Sequence, residues 1–230
     1  MVDPILIGTR GWSPASGGDF YPPELPDDWR FCYYSNNLRS VLVPQETWDG
    51  VQPAEVPQWV EDSDPAFRFV VELPAALGLP LTQHKREQAL VQFLETLEPI
   101  APRIAGLLLR IAPDTEVLPD WFEHFLNRLA DVAPLCVDLP VGPWRVPMVY
   151  AILERQTAGL VWHCAREAAP LAGGRLMVAL APRAPARELR HWIGQLAQWQ
   201  GQAGSAGLFF DTDAAKAAQE ARLIAELMGV

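Results

Sequence analysis

Eight short runs of branched and aromatic residues, each followed by room for a helix, constrain this chain more than any single motif. They fall near residues 5–9, 40–43, 67–73, 105–111, 134–139, 159–163, 175–180 and 206–210. Strand signals alternating with helix signals favour parallel βα units over a sandwich of hairpins. Several of the helices are marked by apolar residues at three- and four-residue spacing. Ala89, Leu90, Phe93, Leu94 and Leu97 form one stripe, and Trp121, Phe122, Phe125, Leu126 and Leu129 a second. Leu189, Trp192, Ile193, Leu196 and Trp199 form a third. Pro119 suits the first turn of the second helix, where a missing N–H costs nothing. Asp213 can cap a last helix that packs through Ala217, Ala221, Ile224 and Leu227. Eight such units predict an α/β fold of the TIM-barrel type, a closed parallel (β/α)8 barrel. A doubly wound open sheet is the competing arrangement.

Two stretches fit this scheme less well. Pro53, Pro57 and Pro65 leave room for only a short helix in the second unit, and 164–174 is small and Gly-rich. No fixed-period repeat and no linker between two cores is evident. A chain of 230 residues with 50% hydrophobic content can bury one large core, so a single domain spanning 1–230 is expected.

Charge and cysteine usage narrow the partners. The net charge is -10, from 28 acidic and 18 basic residues, which repels polyanions and argues against nucleic acid. All basic residues except Lys85 and Lys216 are Arg, a choice that favours bidentate anion recognition if it is not merely codon bias. Cys32, Cys136 and Cys164 form no C-x-x-C pair, so neither a disulfide framework nor a zinc site is indicated and a reducing cytoplasm fits. The first residues lack a signal-peptide pattern, and the apolar run 104–112 is too short to span a bilayer.

The residues that punctuate the strands suggest a relationship. Gly8-Thr9-Arg10-Gly11-Trp12, Phe20-Tyr21-Pro22, Tyr33-Tyr34, Val41 to Trp48, Phe67-Arg68-Phe69 and Leu73-Pro74 resemble, in order and spacing, the YecE-like family of barrel proteins of unknown function. The resemblance continues more weakly through Gly106 to Pro113, Asp138 to Trp144 and Gly207 to Phe210, and it implies a TIM-barrel-like fold. The departures are pointed. Where the family reads V-E-I-N-x-T-F-Y at the second strand, the chain has Val41-Leu42-Val43-Pro44-Gln45-Glu46-Thr47-Trp48, without that acid and amide. Glu72 stands where the third strand carries Lys, Arg110 where the fourth carries Gln, and Arg10 where a small residue is usual. The fifth-strand E-x-R-H-P-S-W becomes Asp138-Leu139-Pro140-Val141-Gly142-Pro143-Trp144. Strand ends form the working face of such barrels, so the resemblance implies a divergent member whose inherited activity is lost or redirected.

Three functional readings follow from the residues at those ends. A small polar or anionic ligand would be held through Arg10, Arg110 and Arg183, with Asp211 beside them and Trp12, Tyr21, Trp48 and Trp144 lining a cleft. An ion pair between Arg183 and Asp211 explains those two residues equally well. A hydrolase-like enzyme would use Glu72, Asp138 and His163 for acid and base work, with or without a divalent metal, although no local ligand spacing marks a metal site. Glu72 and Arg110 end neighbouring strands and can form a salt bridge that simply fixes the mouth. An interaction protein would present the same Trp residues, with Trp162, to another chain. Cys164 beside His163 is no nucleophile and base pair, because adjacent strand residues point to opposite faces. No motif specifies a cofactor.

Overall fold

Every strand pairing among the described residues is parallel, so paired strands are joined by crossovers rather than hairpins. A computed structural model describes residues 4–12, 20–52, 54–78, 83–170, 174–211 and 214–230. The strands are β1 Leu6–Thr9, β2 Ser40–Val43, β3 Arg68–Glu72, β4 Ile104–Arg110, β5 Leu135–Asp138, β6 Gly159–Leu160, β7 Trp162–His163, β8 Leu176–Ala181 and β9 Ser205–Phe210. The helices are α1 Arg30–Asn37, α2 Glu55–Glu61, α3 Gln83–Leu97, α4 Pro119–Ala130, α5 Pro147–Arg155, α6 Ala186–Ala203 and α7 Ala215–Met228. The ladders form two parallel sheets, β2-β3-β4-β5-β6 and β1-β9-β8-β7.

The expected strands lie within about two residues of those observed, with one difference. The single run expected over 159–163 is divided into β6 and β7 at Val161, whose N–H donates to Val137 O at 2.9 Å. Pro119 opens α4 and α2 is only seven residues long, as the sequence suggests. The turns of 164–170 carry no helix. The proposed Asp213 cap lies outside the described residues.

Side-chain alternation sorts each strand into two faces. One face packs on the helices and forms the larger apolar cluster, which includes Val41, Phe69, Leu107, Val137, Met177 and Leu208. The other face gathers a second cluster of Leu42, Val70, Leu108, Cys136, Val161 and Phe209. Two residues further along that same face come Glu72, Arg110, Asp138, His163 and Asp211, and Arg10 follows Gly8 in the same way. The C-terminal strand ends therefore carry a charged layer directly above an apolar one.

The β1–β2 approach is held by side chains as much as by backbone. A single parallel bridge joins Arg10 to Leu42, and Gly11 N–H donates to Leu42 O at 2.8 Å. The buried Tyr34 hydroxyl accepts from Thr9 N–H at 2.9 Å and donates to Ser40 O at 2.9 Å. A Cβ on Gly8 would sit 2.0 Å from Ser40 O, so only glycine permits this contact.

Candidate functional site

The charged layer is one continuous chain of contacts. Arg10 Nη2 donates to both carboxylate oxygens of Glu46, at 2.9 and 2.7 Å. Arg10 Nε reaches Glu72 Oε2 at 3.1 Å, and Arg110 Nε reaches Glu72 Oε1 at 2.6 Å. Arg110 Nη1 then contacts Asp138 Oδ2 at 3.0 Å, and Asp138 Oδ1 lies 2.8 Å from His163 Nε2. The order Glu46–Arg10–Glu72–Arg110–Asp138 alternates in sign, and His163 ends it as the hydrogen-bonding partner of Asp138. The expected Glu72–Arg110 pair forms, with Arg10 completing it from the other side.

Burial makes the alternation necessary. The Glu72 side chain is 0% exposed, and an isolated carboxylate there would lose its hydration with nothing in return. Desolvation weakens the charged form of Arg10, but hydrogen bonding and attraction from Glu46 and Glu72 outweigh it and raise its pKa. Desolvation likewise opposes ionisation of Glu46, and the Arg10 hydrogen bond reverses this and lowers its pKa.

Above this layer lies a cleft of two adjoining lobes. The first, about 410 Å3, is lined by Arg10, Gln45, Glu46, Arg110, His163, Arg166 and Asp211, among others. The second, about 650 Å3, shares Arg110, His163 and Arg166 and adds Asp138, Arg145 and Glu167. Arg145 is paired with Glu167, which also accepts from His163 N–H at 3.2 Å. Arg166 differs from the other arginines of the cleft. Among the described residues its exposed guanidinium has no ion-pair or hydrogen-bond partner, and its backbone N–H donates to His163 O at 2.9 Å.

The placements sort the candidates. Arg10, Arg110, His163 and Asp211 line the cleft, and Asp138 joins them in its second lobe. Glu72 lies beneath, wholly buried with each oxygen on an arginine, and it is not a lining residue of either lobe. Arg183 is exposed beyond β8 and is not a lining residue of either lobe.

Among the described residues no aromatic platform is assembled at the cleft. Trp144 is fully buried against Phe122 and donates from Nε1 to Thr115 O at 2.7 Å. Trp48 packs on Phe93 and donates to Glu72 O at 2.7 Å. Trp12 packs on Phe31 and Trp59, and Tyr21 donates to Trp12 O at 2.8 Å. Trp162 is buried, with Nε1 donating to Glu167 O at 2.9 Å. These rings fill the space between strands and helices, the ordinary use of large apolar surfaces with one polar atom to satisfy.

Arg166, Gln45 and Glu46 were not among the candidate residues. Gln45 and Glu46 follow β2 in a short 3-10 turn, Gln45–Asp49, and they return to the mouth an amide and an acid of the types that Pro44 and Leu42 lack. Arg166 lies in a turn with no periodic pattern to announce it.

Asp138, acting as a carboxylate, makes Nε2 of His163 the donor and leaves Nδ1 the acceptor in the neutral ring. The arrangement can orient a proton acceptor and present guanidinium groups to an anion. Metal binding fits less well, since the oxygens of Glu72 and Asp138 are already engaged by Arg10, Arg110 and His163. No group of three or more His, Cys, Asp or Glu side chains able to hold a metal occurs among the described residues. Burial raises the Cys136 and Cys164 thiols to about 12, which keeps both protonated and unreactive. No helix among the described residues is long and apolar enough to cross a membrane.

Comparisons with known proteins agree on the architecture. The fold is similar to that of a DUF72 family protein from Thermotoga maritima MSB8, with a TM-score of 0.74 and 14% identity over 98% of this chain and 100% of that one. A DUF72 family protein from Enterococcus faecalis V583 gives a TM-score of 0.70 at 13% identity, covering 100% of both chains. A xylose isomerase-like TIM barrel/4-hydroxyphenylpyruvate dioxygenase fusion protein gives 0.51 at 12% identity, over 98% of this chain and 44% of that one. No curated protein shows a significant sequence match. Residues 6–230 match the model of the family described as protein of unknown function DUF72, and the chain belongs to that family, the YecE-like one.

Proposed function

We propose that the chain is one domain in which the two sheets close as an eight-stranded barrel, and that its C-terminal mouth binds a small ligand bearing an anionic group. The Arg10–Leu42 bridge supports closure on one side. On the other, β6 and β7 are consecutive segments of one strand, pairing with β5 and β8 respectively.

The unpaired guanidinium of Arg166 carries the ligand reading. Arg10, Arg110 and Arg145 are each opposed by a carboxylate, so their charge is spent on holding the mouth together. Arg166 stands at the junction of the two lobes with Arg110 and His163 beside it, and its planar fork suits an oxyanion. Thermal-shift titration with acetate, phosphate and sulfate at fixed ionic strength tests this. A ligand at about a hundred times its Kd adds about 2.7 kcal/mol to stability, so a rise in Tm is expected that Arg166→Gln removes. A Tm that none of the three anions moves contradicts the reading.

A second reading, a hydrolase-like reaction, has the Asp138–His163 pair in its favour. The carboxylate would orient the ring and Nδ1 would accept a proton from water or substrate. Turnover of p-nitrophenyl acetate or phosphate, lost in His163→Ala, is the expected result. A wild-type rate equal to that of buffer alone contradicts it.

A further inference from the structure

Resting on the anion reading, the second lobe of the cleft indicates what the anion is attached to. Its lining is of two kinds. Arg110, Asp138, Arg145, His163, Arg166 and Glu167 are polar, and Ile111, Pro113, Leu139, Pro140 and Val141 are apolar. Ile111 and Leu139 are buried, and Pro113 and Val141 are exposed. Val141 is 80% exposed. An exposed valine alone is ordinary, but here it lines the same lobe as four other apolar residues and Arg166, the one arginine of the cleft without a partner among the described residues. Val141 has Pro140 before it and Pro143 after Gly142, and each proline fixes its own φ, so less backbone freedom is left to lose when a ligand settles there.

We propose that the site takes a carboxylic acid with an apolar chain. The carboxylate pairs with Arg166 at the junction of the lobes, and the chain lies along Pro113, Pro140 and Val141. Charge selects the carboxylate over a phosphate ester. Glu46, Asp138, Glu167 and Asp211 line the cleft and Glu72 lies beneath it, so the acids already outnumber its four arginines, and each added negative charge on the ligand is disfavoured; a carboxylate brings one, whereas a phosphate monoester brings about 1.5 to 2 at neutral pH. An acid of modest length meets both kinds of lining at once, which a compact inorganic anion does not.

Calorimetric titration of the whole chain with acetate, hexanoate and hexyl phosphate tests the proposal. Burying methylenes strengthens binding by up to about fourfold each, so hexanoate should bind at least tenfold tighter than acetate and tighter than hexyl phosphate. Val141→Ser should weaken hexanoate at least threefold and narrow its advantage over acetate. Equal affinities for acetate and hexanoate, both lost in Arg166→Gln, would overturn the apolar chain while leaving the anion reading intact. Hexyl phosphate outbinding hexanoate would overturn the choice of carboxylate. Binding of none of the three would remove the anion reading itself, and this inference with it.

Discussion

Arg110 Nε lies 2.6 Å from Glu72 Oε1, a charge-assisted contact between the last residues of neighbouring strands that places a wholly buried carboxylate under the cleft. Arg10 holds the other oxygen, and each arginine also serves a second carboxylate, Glu46 or Asp138, so neither alone fully compensates Glu72. Losing one partner leaves a buried charge without full compensation, which typically costs about 3–5 kcal/mol. Arg110→Met should therefore be strongly destabilising in urea denaturation. Most of that loss should be recovered in the Arg110→Met, Glu72→Leu double variant. Strictly additive effects in the cycle would contradict the coupling.

The origin of that layer in the sequence is plain. On each strand the residue two before the charged one is apolar and inward: Val70 before Glu72, Leu108 before Arg110, Cys136 before Asp138 and Val161 before His163. Period-two alternation followed by a polar residue at the strand end is legible without a structure. The same alternation places Trp162 on the opposite face from His163, toward the helices. Trp144 and Trp48 lie past their strand ends, where no period fixes a direction, and burial drew them inward. Arg166 and Glu46 sit in turns, so their arrival at the cleft depends on the path of the chain rather than on local pattern. The Glu46–Arg10 contact joins residues 36 positions apart, a separation that periodicity does not reach.

Acid should act partly through Glu46. Its pKa is lowered in the folded state, so its ionised form adds stability above the ordinary carboxylate range, and this is lost as pH falls through the lowered value. The stability difference between wild type and Glu46→Gln should be present at pH 7 and shrink below about pH 4.5, the group's ordinary value. Urea denaturation of both proteins across that range measures it. A difference that stays constant down to pH 3 would contradict the assignment.

Tyr34 supplies the second tie between β1 and β2. Tyr34→Phe leaves Thr9 N–H and Ser40 O without their shared partner, and the expected cost is about 1–3 kcal/mol. Hydrogen exchange should report faster exchange at Thr9 than at Val70, which lies between paired strands. Unchanged protection at Thr9 would show that the hydroxyl is not needed there.

Thiol labelling separates the three cysteines. Burial raises the Cys136 and Cys164 thiols to about 12, while Cys32 is only partly buried. With iodoacetamide at pH 8, Cys32 should react first and the other two only after unfolding. Rapid native labelling of Cys164 would contradict its placement beneath the β7 strand end.

The central claim is that the mouth of the fold holds an anion on Arg166. Side-chain Nε–Hε spectra of the arginines, titrated with acetate at constant ionic strength, test it most directly. The Arg166 signal should shift saturably, with a smaller response from its neighbour Arg110. Arg155, paired with Glu123 away from the cleft, should not move. An Arg166 signal that stays fixed, or that drifts without saturation together with Arg155, would contradict the claim.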